Sequence, residues 1–349
     1  MKGTAALMVV AIVLLASFVF YGPEISSALG SVPGVISKLA SYTSNTAGDD
    51  ITAHSYSPLI GNGSADIIFP PDYSVLAAYA LQLINWDRAN FSAPPVTLGN
   101  NSAGQQHADS MLRYGYFAHW DTQGYKPYMR FTLLGGTGAD FENIAYIYDP
   151  GANYNTASVE GAIKTLEYDM VYNDQACCNN GHKDNIINPL HDEVSIGISY
   201  NSTTVYFDEE FESVYISNFS LSISNSNYVT ISGVPIHPAV TDNVSSIYVA
   251  YDPTPQPETP AQLNSGPREY TPGTIIGGVL PPGVLGMCGE FEEGVTACAG
   301  TWTFTQTQVD VGFSLNSFIN QYGAGVYTLY MITGPSTNQA ITTYSLFIN

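Results

Sequence analysis

The chain has 349 residues, of which 45% are hydrophobic and only 11% charged. That hydrophobic content excludes disorder throughout, and the length suits two domains better than one. Thirty acidic residues against nine basic ones give a net charge of −21, so the surface repels polyphosphate and nucleic acid is excluded as a partner.

The unusual feature is the shortage of Lys and Arg rather than an excess of acids. Such a surface suits a cell exterior and attracts divalent cations. At the N-terminus, Met1-Lys2-Gly3 precedes an apolar run, TAALMVVAIVLLASFVF, from Thr4 to Phe20. Its length lies between a signal-peptide core and a membrane span. Residues 1–22 therefore read as a membrane anchor or a signal peptide, with Ser26-Ser27-Ala28 as a late cleavage site and a buried core helix as the plain alternative. Anchor and signal peptide both place the rest of the chain outside the cell. Residues 23–72 are rich in Ser, Gly, Ala and Pro and read as a spacer. The sequons at Asn62, Asn90, Asn100, Asn201, Asn218 and Asn243 are compatible with export, but a chain this rich in Asn, Ser and Thr produces several by chance.

Residues 73–212 mix helices and strands. YSVLAAYALQLINWDRA, from Tyr73, places Leu76, Tyr79, Leu83 and Trp86 at helical spacing. Ser102 is placed to cap a second helix, AGQQHADSMLRYG, which stops at Gly115. A third helix starts near Ala157 and covers VEGAIKTLEYDMVY. Residues 191–200 and 203–211 read as two strands of a hairpin turned at Asn201-Ser202, which makes this part α+β. After Glu212 the texture changes to short alternating strands between Gly, Pro and Asn turns. In VDVGFSL the residues Val309, Val311, Phe313 and Leu315 share one face. Seven or more such strands without a convincing helix predict an all-β, immunoglobulin-like sandwich over 213–349, with PTPQPETP (253–260) as a rigid polar loop inside it.

The four cysteines fit an oxidising compartment. Cys288 and Cys298 flank a short segment that a disulfide would close, although sequence alone does not fix the pairing. Cys177 and Cys178 sit four residues before His182, in CCNNGHKDNIINP. A Cys-His nucleophile would need a lowered thiol pKa and a base in reach. A structural disulfide is the default in an exported chain, either between the two neighbours or out to Cys288 or Cys298.

QHADSM (106–111), GYFAHW (115–120), ENIAY (142–146), GHKDNIINP (181–189) and EVSIGISY (193–200) occur in that order. Their order and spacing, over about 140 residues, resemble the CAP superfamily of secreted proteins, which includes SCP-like and plant pathogenesis-related class 1 proteins. The resemblance implies an α-β-α sandwich with a cleft lined by two histidines and up to two acids, which in several members bind a divalent cation. His119 matches the first histidine, Glu142 the first acid and His182 the second histidine. Phe141 stands where the family usually has Gly. Asp169 falls at the second acid, with Leu166 at the usual Trp. His107 is expected to pack its helix, and Asn185 to orient His182. Tyr116, Phe117, Trp120 and Tyr128 are expected to build core and cleft rim.

Two imidazoles and one or two carboxylates suit zinc foremost, with copper and nickel also chemically fitting, or they hold a water as a general base. Taken singly, each residue has a structural reading: His119 as a satisfied buried histidine, Glu142 as a backbone cap, His182 as the anchor of its turn. Three functions stay open. The first is a cell-surface protein whose cleft binds a divalent cation and a small-molecule or peptide-like ligand, with the sandwich attaching it to cell-surface components. The second is a metal-dependent hydrolase of surface peptide or glycan. The third is a lipid-binding or envelope-structural protein with a vestigial cleft.

Overall fold

A computed structural model describes residues 11–15, 70–236, 244–283, 288–291, 294–333 and 340–349. The spacer at 23–69, most of the N-terminal apolar run, and His237 lie outside the described residues. Ala11–Leu15, the described part of that run, is a strand (β1) rather than part of a helix. Among the described residues no helix is long and apolar enough to cross a membrane.

The first half is a three-layer α-β-α sandwich. Its sheet has the order β1-β3-β5-β4-β2, with β2 at Thr97–Leu98, β3 at Ala139–Tyr148, β4 at Glu193–Tyr200 and β5 at Thr204–Ser213. All neighbours are antiparallel except β2 and β4. The predicted hairpin is β4–β5, closed by the Asn201 amide on the Thr204 carbonyl at 3.0 Å. β3, the strand that carries ENIAY, has no periodicity a sequence reading would single out, because both of its faces are buried.

One face of this sheet is covered by α1 (Tyr73–Asn90), α4 (Thr156–Tyr172) and α6 (Gly181–Ile186). α1 presents Leu76, Ala80 and Ile84, each four residues apart, while Trp86 is 61% exposed. The buried stripe is thus rotated from the one the spacing suggested. The small Ala77 and Ala80 let α1 lie close, and each Leu or Ile sealed in this layer is worth about 1.5–3 kcal/mol. α4 is capped by Asn155, whose side chain accepts from the Ser158 amide in a reciprocal capping box.

The other face carries α2 (Ala103–Tyr114) and α3 (Pro127–Leu133). α2 ends at Gly115 as predicted, with a left-handed φ of 70°. Its start differs: Ser102 makes no side-chain cap, and Asn101 Oδ1 takes the Ala103 amide at 2.8 Å instead. α2 approaches β4 so closely that a Cβ on Gly197 would lie 2.2 Å from the Gly104 carbonyl oxygen. CCNNGHKDNIINP is not a loop. It forms α5 (Gln175–Cys178) and α6, joined by Asn179 and Asn180 at φ 50° and 67°. Asn tolerates this left-handed turn better than most residues. Buried Arg88 staples the end of the segment to α1, donating to the carbonyls of Ile186 (2.6 Å), Asn188 (3.0 Å) and His191 (3.2 Å).

The second half is a β-sandwich. One sheet runs β10-β9-β8-β13-β14, with β8 at Val244–Asp252, β9 at Thr274–Leu280, β10 at Val295–Cys298, β13 at Gly325–Thr333 and β14 at Ala340–Ile348. The other runs β11-β12-β7-β6, with β6 at Ile216–Ile223, β7 at Tyr228–Pro235, β11 at Thr301–Phe304 and β12 at Val309–Ser314. Val309, Val311, Phe313 and Leu315 are all buried between the sheets, as their alternation predicts. The β9–β10 pair was not anticipated, because Gly277 and Gly278 interrupt the alternation of β9; the pair runs parallel. Two short helices, α7 (Pro260–Ser265) and α8 (Asn316–Tyr322), also interrupt the strands.

PTPQPETP does not stay inside the sandwich. It crosses to the first half, where the Glu258 amide donates to the Thr122 carbonyl at 3.0 Å and Leu263 of α7 packs with Met111, Phe117 and Tyr206. Asp252 ties the halves as well, accepting from Lys126 Nζ at 2.7 Å and from the Tyr128 hydroxyl at 2.6 Å.

Candidate functional site

Side chains alternate across a strand, so Glu142 and Asn143 leave β3 on opposite faces. Glu142 points to the α2–α3 layer. There its Oε1 meets His119 Nδ1 at 2.6 Å and its Oε2 accepts from the Arg130 guanidinium. Arg130 also donates to the carbonyls of His119 (2.7 Å) and Tyr125 (3.0 Å), which fixes the GYFAHW turn over the sheet. Tyr270, in the segment between α7 and β9, closes this site from the second half. Its ring lies 4.8 Å from the His119 ring, and its hydroxyl accepts from the Glu142 amide at 3.1 Å. His119, Glu142 and Arg130 are 0% exposed. His107 packs α2 as expected, with Nε2 on the Ala118 carbonyl at 2.8 Å.

More carboxyls surround this pair than the motifs disclosed. The register places Glu142 opposite Glu210 and Asp140 opposite Glu212, and Asp208 shares the same face. All are buried, and neither oxygen of Asp140, Asp208 or Glu210 accepts from a protein donor group. With one guanidinium among them, they persist by holding protons. Burial pushes Glu142 up to about 7 against the pull of Arg130. Burial, then the charge of Glu142, pushes Glu210 up to about 8. Burial also keeps Asp140 and Asp208 well above the usual carboxylate range, and holds His107 well below the usual imidazole value. After burial, the charge of Glu210 pushes Asp140 up further, since two carboxyls this close do not both ionise. His107, Glu142 and Asp208 offer donor atoms within 4.8 Å of one another, but the Arg130 guanidinium already sits on Glu142 and 4.0 Å from Glu210, where a cation would compete with it.

His182 lies on the opposite face. Asn143, the neighbour of Glu142, donates to the His182 carbonyl at 3.3 Å and to Glu209 at 3.1 Å. The His182 ring is paired through Nδ1 with Asp174 Oδ1 at 2.6 Å. Asn185 joins α6 to the sheet. It spans the Phe141 carbonyl (3.2 Å), Asn143 (3.0 Å) and His191 Nε2 (2.9 Å), tying α6 to β3. Asp169 is partly exposed and accepts from Asn173, while the buried acid of α4 is Glu167, which burial and then the charge of Glu209 push well above the usual carboxylate range. The structure thus brings His119 to Glu142 and takes His182 to Asp174. Among the described residues, the groups of donors that could hold a metal ion are Asp174, Cys177, Cys178 and His182, and His107, Glu142 and Asp208.

Arg130, Asp174 and Tyr270 are the residues that the motifs missed. DEEFE in β5 carried a readable signal, since acids on both faces of a strand within an apolar domain imply polar partners on both sides. Cys288 pairs with Cys298, the link its short flanked segment suggested, and Cys177 pairs with Cys178, one of the two alternatives the sequence left open.

No family model matches the chain, and no curated protein matches it. Among solved structures, an extracellular protein containing a SCP domain from Bacillus anthracis str. Ames is similar over 42% of this chain and 44% of that one, with 16% identity and a TM-score of 0.29. The chain therefore spans less than half the length of that protein.

Proposed function

We propose that the chain is an exported, CAP-like structural protein of the cell surface, in which His119 and Glu142 form a sealed polar core rather than an open cleft. The observation that carries this reading is the engagement of Glu142: one oxygen on His119, the other on Arg130, and Tyr270 across the His119 ring. A metal-dependent hydrolase needs an open coordination position and a bound water, and the sealing argues against both. Two disulfides, and no free cysteine among the described residues, support an oxidising exterior. Ala11–Leu15 pairs with β3 inside the sheet, so this reading assigns residues 4–20 no anchoring role, and the immunoglobulin-like sandwich supplies attachment to surface components. A small-molecule, lipid or peptide ligand would have to act elsewhere, or only after Tyr270 withdraws.

The test is equilibrium dialysis of the oxidised full chain against zinc at neutral pH, beside His119→Ala and Glu142→Gln. The expected result is no zinc dependent on either residue. One equivalent lost in both variants would replace this reading with a cation-binding cleft.

A further inference from the structure

The sealed pair leaves a second cluster unused. Asp174, Cys177, Cys178 and His182 bring carboxylate, sulfur and imidazole donors within 4.8 Å of one another, all from nine consecutive residues. Local geometry explains the convergence. Cys178 follows Asp174 by one helical turn, its amide on the Asp174 carbonyl at 2.9 Å. The left-handed Asn179-Asn180 pair then reverses the chain and brings His182 back onto Asp174. The Lys183 amide holds the other Asp174 oxygen at 3.2 Å, so carboxylate and imidazole are fixed in place. Asp174, Cys178 and His182 are buried while Cys177 is exposed, which gives the cluster an inner wall and an opening to solvent. The nearby base in sequence, Lys183, turns its ammonium away over the Phe91 ring at 4.5 Å and does not neutralise the cluster.

We propose that Asp174, Cys177, Cys178 and His182 form a redox-gated site for a thiophilic d¹⁰ divalent cation, closed when the two cysteines are joined and opened when they are reduced. In the joined state each sulfur is bonded to the other and neither is a thiolate. Opening needs an external dithiol. It is oxidised to its own disulfide, and its two electrons and two protons convert the Cys177–Cys178 bond to two thiols. Binding of the cation then releases the two thiol protons to solvent. The two sulfurs and His182 are the soft and borderline ligands that such a cation selects, while Asp174 fixes the imidazole through Nδ1 and adds negative charge. The site is independent of the proposed structural role, since it uses neither His119 nor Glu142.

The experiment uses the full chain carrying Cys288→Ser and Cys298→Ser, so that every thiol counted comes from Cys177 and Cys178. The protein is reduced with a dithiol, desalted and titrated with cadmium, and the sulfur-to-cadmium charge-transfer absorption is followed. The expected result is one cadmium per reduced chain and none per oxidised chain. Cys177→Ser, at the exposed position, should abolish the absorption while leaving the circular dichroism unchanged. Asp174→Asn should weaken binding by about 10–100-fold, the usual effect of losing a group that orients a ligand. A pair that resists the dithiol in the folded chain would overturn the proposal. So would two free thiols that bind no cadmium, or binding unaffected by Cys177→Ser.

Discussion

Glu212 gives the sharpest quantitative handle on the buried carboxyls. It lies at the end of β5, between Asp140 of β3 and Glu193 of β4, with Asp192 nearby and the Thr137 amide on its Oε1 at 3.2 Å. Burial, followed by the charge of Glu193, raises it from 4.5 to about 8. A carboxyl whose folded value lies above its unfolded value keeps its proton in the native state after the unfolded chain has lost it. Stability is therefore fully present below about pH 4.5 and falls as the pH rises toward 8. Each pH unit between the two values is worth about 1.4 kcal/mol, so the whole span is worth about 5 kcal/mol for this group alone. Glu212→Gln removes the titration and keeps an acceptor for the Thr137 amide. In urea unfolding from pH 4 to 8.5, wild type and variant should agree near pH 4. The variant should then gain steadily, ending several kcal/mol more stable above pH 8. Parallel curves, or a variant that loses ground as the pH rises, would refute the claim that Glu212 is protonated by burial.

Arg130→Met should destabilise the chain by about 3–5 kcal/mol at neutral pH, because it leaves Glu142 buried without its guanidinium. The loss should shrink at acid pH, where Glu142, raised to about 7, is neutral; urea titrations at pH 5 and 8 check this. Asp252→Ala removes the acceptor shared by Lys126 and Tyr128 and should loosen the two halves. Calorimetry should then show two transitions where the wild type shows one.

Much of the first half is legible in the sequence, because α1, α2, α4 and the β4–β5 hairpin each carry a local signal: apolar spacing, a Gly stop, or an Asn turn. β3 and α3 carry none of these. β3 is buried on both faces and interleaves acids with apolar residues, and α3 is a seven-residue helix begun by Pro127. The candidate site was legible only in its parts. GYFAH, ENIA and GHKDN locate three side chains along the chain, but a strand sends Glu142 and Asn143 to opposite faces, and motif order does not say which neighbour His182 approaches. Asp174 lies in a stretch with no matching motif, yet it captures the His182 ring. Tyr270 lies beyond the first domain altogether, and no local pattern around it points back to His119.

Tyr270 and Arg130 seal His119 away from solvent. Carbethoxylation of histidine, read by mass spectrometry on the peptide that contains His119, tests it directly in the oxidised full chain. The wild type should leave His119 unmodified under conditions that label an exposed histidine, and Tyr270→Ala should expose it to labelling. A wild-type His119 that reacts as fast as a free histidine would contradict the sealed core and return the site to an open cleft.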